Sequence, residues 1–78
     1  MTNNTKKIKA VYHRDAKHYT IHTASGRYYA RRITKFAEWF GENKYLDLGN
    51  TKGFEDAMML VKLDATSFGD VLRYEIDG

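Results

Sequence analysis

The chain of 78 residues contains no cysteine and no proline. Without cysteine no disulfide can staple the fold and no thiolate can ligate zinc. Such a chain suits a reducing compartment, and a cytoplasmic location is expected. Without proline, every tight turn must rest on Gly, Asn or Asp. No apolar run approaches the roughly 18 residues that a membrane-spanning helix requires, so no membrane association is expected. The stretch MTNNTKK at the start is polar, with no apolar signal region, and residues 1–6 read as a flexible tail. Acid is almost missing from the first half. Up to Lys35 there are nine basic residues against Asp15 alone, a net of +8, whereas the remainder carries nine acids against four bases, a net of −5. Such asymmetry suggests a charged partner, or two halves that complement each other within one fold.

What is present is enough for one small core. Hydrophobic residues make up 42% of the chain, an ordinary share for a folded globule. Lys7 to His13 alternates with period two, Lys17 to Thr23 does so again, and Arg27 to Ile33 completes a third strand. Ser25-Gly26 supplies a two-residue hairpin loop. That loop sets Thr23 opposite Tyr28, Ile21 opposite Ala30 and Tyr19 opposite Arg32. With Asp15-Ala16 as the first loop, Tyr12 faces Tyr19 and Ala10 faces Ile21. One face then gathers Ile8, Ala10, Tyr12, Tyr19, Ile21, Tyr28 and Ala30, and the other gathers Lys9, Val11, His13, His18, Thr20, His22, Tyr29 and Arg31.

Downstream, Phe36, Trp39 and Phe40 have the spacing of a short helix capped by Thr34. KYLDLGN reads as a connector anchored by Tyr45 and Leu48. A second helix, capped by Asn50 or Thr51 and stopped by Gly69, would bury Phe54, Ala57, Met58, Val61 and Ala65. Met59, Leu60 and Leu63 fall outside that stripe, so the helix is either buried on two sides or offers a ridge to a partner. Asp70 to Asp77 alternates as a fourth strand, with Leu72, Tyr74 and Ile76 inward. The expected architecture is a single α+β domain over 7–78, with an antiparallel sheet in βββααβ order and two helices packed on one face.

Enzyme chemistry finds no footing. Ser25 and Ser67 sit in no nucleophile elbow, the carboxylates are scattered, and Gly49 and Gly53 flank no Walker sequence. No cofactor and no small-molecule substrate is expected. His13, His18 and His22 share a face, with His13 opposite His18, but His18 and His22 stand about 13 Å apart on one strand, which argues against a metal site. The uncovered sheet face is the candidate binding surface. Lys9, His18, His22, Arg27, Tyr29 and Arg31 place cations and imidazoles beside an aromatic. These residue types serve phosphate contact and base stacking, and equally the anchoring of a protein interface.

The hairpins followed by RRITKFAEWFGEN (Arg31 to Asn43) resemble the three-stranded, helix-backed arm-binding domains of tyrosine recombinases, which read DNA with an open sheet face. FAEWFGENKYLDLGNTKGFEDAM (Phe36 to Met58) is similar to the aromatic-bearing helix and Gly-rich connector of small phage anti-CRISPR proteins, one of which inhibits type I-F surveillance complexes. Both resemblances imply a phage or mobile-element origin. The second implies a non-enzymatic inhibitor that binds a host nucleic-acid-handling protein complex, such as a CRISPR surveillance complex, in the host cytoplasm. Direct binding of DNA or RNA through the same face stands as the alternative.

Overall fold

The computed structural model describes residues 5–34 and 45–77. The chain forms β1 (Thr5–Val11), β2 (Ala16–Ala24), β3 (Arg27–Ile33), β4 (Tyr45–Thr51), α1 (Phe54–Thr66) and β5 (Arg73–Asp77). All neighbours are antiparallel, in the order β4-β3-β2-β1-β5. The βββααβ order with two helices is therefore corrected. The sheet has five strands, four of them precede α1, and α1 is the one helix among the described residues. The expected helix with Phe36, Trp39 and Phe40 lies outside the described residues.

The segment read as a connector is an edge strand. Its alternation is broken by a bulge: Ala30 pairs with Gly49 and Arg31 with Asp47, so Leu48 is the extra residue. Gly49 has φ +122°, which a side chain would resist. The bulge lets Leu48 pack against the core although its neighbours follow a different parity.

The second hairpin has the expected register, with Thr23 opposite Tyr28, Ile21 opposite Ala30 and Tyr19 opposite Arg32. Ser25 (φ 52°) and Gly26 (φ 73°) are both left-handed, as a type I′ turn requires. The first hairpin differs. Tyr19 lies opposite Ile8, not Tyr12, and Ala10 opposite Lys17, not Ile21. The turn spans Tyr12 to Asp15, with the Tyr12 amide donating to the Asp15 carbonyl at 2.8 Å. The slip is four residues along β1. An even slip leaves every side chain on its original face, so Ile8, Ala10, Tyr12, Tyr19, Ile21 and Ala30 are buried as the alternation requires. Tyr12, released from the cross-strand pair, donates its hydroxyl to the carbonyl of Ala65 at 2.6 Å. It thereby satisfies one of the last carbonyls of a helix that has no basic residue in its final turn.

α1 lies across β2, β3 and β4. Ala57, Met58, Val61 and Ala65 form its buried stripe, joined by half-buried Phe54, which meets Tyr28 edge-on at 6.1 Å. Its N-cap is Gly53, without a side-chain cap, in place of Asn50 or Thr51, and it ends at Thr66, ahead of Gly69. Met59 and Leu63 face solvent, while Leu60 packs against the core. β5 has the expected parity, with Ile76 opposite Ile8 and Tyr74 opposite Ala10. As an outer strand beyond α1 it leaves Ile76 53% and Leu72 60% exposed, so neither is the core residue the alternation suggested.

Candidate binding face

The strand registers build the face opposite α1 row by row. Lys9 stands between Glu75 and His18. Next, Asp77, Lys7, Thr20, Arg31 and Asp47 follow one another across all five strands. In the third row His22 stands between Thr5 and Tyr29, and Tyr29 is opposite Asn50. Lys9, His18, His22, Tyr29 and Arg31 thus share one face, and Arg27 joins them at the hairpin end by parity.

Local contacts hold several of these groups. The rings of His22 and Tyr29 stack with centroids 5.1 Å apart and planes inclined by 16°. Arg31 lies over the Tyr45 ring at 5.6 Å. Arg27 donates through Nε to Oδ1 of Asn50. Thr20, in the middle of the charged row, is buried. The imidazole of His22 is held below the usual value of 6.5, first by partial burial and then by the Arg31 charge, with Asp47 acting the other way. Lys9 and His18 are exposed and border a shallow pocket of about 260 Å³ that Lys7, Ile33, Glu75 and Asp77 also line. His13 sits in the first turn. The corrected register opposes His18 to Lys9, so the expected His13–His18 pair does not form. Among the described residues no group of three His, Cys, Asp or Glu converges as metal ligands.

Charge-based reading of the sequence missed the carboxylates. Lys9 is opposed by Glu75, Lys7 by Asp77 and Arg31 by Asp47. The acids arrive on the two outer strands, so the asymmetry along the chain becomes a basic middle flanked by carboxylates at both edges of the sheet. Strand alternation placed Glu75 and Asp77 on this face, but no signal showed that β5 would adjoin β1. Asp47 was hidden by the assignment of its strand to a connector.

The other convergent polar group lies under α1. Asp64 accepts from the Tyr19 hydroxyl at 2.7 Å and from Arg32 at 2.8 and 3.0 Å. Burial, and then the hydrogen bond to the neighbouring carboxylate, hold the Tyr19 phenol far above its usual value of 10, so it stays protonated. Lys17 and Arg32 flank the Phe68 ring at 4.2 and 4.7 Å. No buried side-chain polar atom of the described residues lacks a partner. This cluster pins helix to sheet, and it occupies two cations of the basic half.

Comparisons with protein families, with characterised proteins and with solved structures find no match to this chain. Among the described residues no helix is long and apolar enough to cross a membrane.

Proposed function

We propose that this chain is a non-enzymatic binding protein that docks on a protein partner through the sheet face opposite α1. The resemblance to small phage inhibitors favours a stoichiometric inhibitor of a host nucleic-acid-handling complex, acting in the host cytoplasm. The observation that supports a protein partner is the set of outer-strand carboxylates that flank the cations of this face. A phosphate track calls for clustered cations along one face. Here Lys7, Lys9 and Arg31 each have a carboxylate directly opposite. A mixed surface that also carries the His22–Tyr29 stack is suited to protein recognition, where opposite charges set orientation and Tyr supplies anchoring area.

Capture from host lysate, with and without nuclease, tests this reading. Nuclease-resistant recovery of a discrete protein complex is expected, and it should be lost in the double variant His22→Ala with Tyr29→Ala, whose melting curve stays close to wild type. Affinity for a short duplex or single strand is measured in parallel between 50 and 200 mM salt. Tight binding that falls by about 10³ over that range would replace the protein reading with a nucleic-acid one.

A further inference from the structure

The two outer strands of the sheet are not alike. β4 is bent by its bulge at Leu48 and by the left-handed Gly49, a common way of making an edge a poor template for pairing. β5 has no such device. Its register to β1 runs without interruption from Arg73 to Asp77, and the Leu72 amide donates to the Val11 carbonyl at 2.7 Å. Among the described residues β1 is its one neighbour.

The residue order along this edge is complementary to itself. Leu72 is apolar, Arg73 basic, Tyr74 aromatic, Glu75 acidic and Ile76 apolar. Leu72 and Ile76 are more than half exposed. Arg73 and Glu75 form an exposed ion pair within the strand at 2.8 Å. Reversing such a strand about Tyr74 places Arg73 opposite Glu75 and Leu72 opposite Ile76, twice each.

We propose that β5 is a self-association edge whose occupant is β5 of a second copy of this chain, antiparallel about a twofold axis at Tyr74. Each Arg73 faces Glu75 of the other copy, and each exposed Ile76 lies alongside Leu72 of the other. The interface is isologous, closes after two copies, and extends the sheet to ten strands. The contact is small, so the dimer is weak and reversible. The proposal does not depend on the partner read for the sheet face. It predicts a surface of twice the length, continuous across the twofold.

Sedimentation equilibrium over roughly 10 µM to 1 mM, the range suited to a small interface, tests it. A monomer–dimer equilibrium is expected for the native chain. Ile76→Lys should abolish it, since an edge lysine opposes strand pairing. Arg73→Glu should weaken it by about tenfold or more, because two attractive cross-strand pairs become repulsive. The swap of Arg73→Glu with Glu75→Arg should restore it to within about threefold, because both pairs invert together. Thermal melts confirm that each variant remains folded. A native chain that stays monomeric at 1 mM overturns the proposal. So does a dimer indifferent to Ile76→Lys, or a charge swap that leaves the loss of Arg73→Glu unrepaired.

Discussion

Tyr19 donates its hydroxyl to the carboxylate of Asp64, 45 residues further along the chain, at 2.7 Å. The same carboxylate receives Arg32 from the neighbouring strand. One acid of α1 therefore fixes the helix against β2 and β3 at the point where both strands present a donor.

Asp64→Ala should cost about 2–3 kcal/mol, because it leaves a buried phenol and a largely buried guanidinium without their acceptor. Tyr19→Phe removes one hydrogen bond and should cost only about 1 kcal/mol. Urea denaturation of both variants and of the double variant checks this. The double variant should cost less than the two single effects added together, since the residues share one interaction. Strict additivity would show that the carboxylate acts on Arg32 alone.

Elements set by local chemistry were legible in the sequence, and elements set by partner choice were not. Ser25-Gly26 fixed both its turn type and its register, because few residue pairs accept two left-handed positions. The first hairpin had no such constraint. Its alternation is satisfied equally by Tyr12 or Ile8 opposite Tyr19, and faces are blind to an even slip. Local pattern does not separate the two registers, and the contact that accompanies the observed one is remote: the Tyr12 hydroxyl donates to the carbonyl of Ala65, 53 residues along the chain. β4 was illegible because Asp47 and Gly49 are turn residues by type, and the bulge they support breaks the period-two pattern. The basic part of the candidate face was readable strand by strand, whereas its acidic part depended on which strands became neighbours.

The Ser25-Gly26 turn makes a second prediction. A serine in the left-handed region carries a backbone cost that asparagine or glycine largely avoids. Ser25→Asn should raise stability by about 0.5 kcal/mol, given the Asn-Gly preference of type I′ turns. Gly26→Val should lower it by about 1–2 kcal/mol although no heavy atom beyond its chain neighbours lies within 4 Å of an added Cβ, because the penalty is mainly one of dihedral angle and not of space. Thermal melts of the two variants measure both signs. Equal stability for Gly26→Val would show that the turn relaxes to another type.

The third prediction follows from His22, which packs against Tyr29 and lies near Arg31. Its imidazole is depressed below 6.5 in the folded chain, mainly by burial. The unfolded chain therefore binds the proton more readily than the folded one. Linkage gives the sign: this contribution to stability is complete above the unfolded value near 6.5 and is lost as pH falls through the lower folded value. Urea unfolding at steps from pH 7.5 to 5 should show stability declining over this window. His22→Phe keeps an aromatic ring against Tyr29 and cannot take up a proton, so its profile should be flatter there than that of the native chain. Asp47→Asn should strengthen the dependence, because Asp47 is the group that favours the charged imidazole, and its removal leaves the Arg31 charge unopposed. Native and His22→Phe profiles that run parallel would mean that His22 titrates alike in the folded and unfolded chains. The stack would then leave the imidazole open to water, and a partner on this face would meet a histidine that charges as freely as any on the surface.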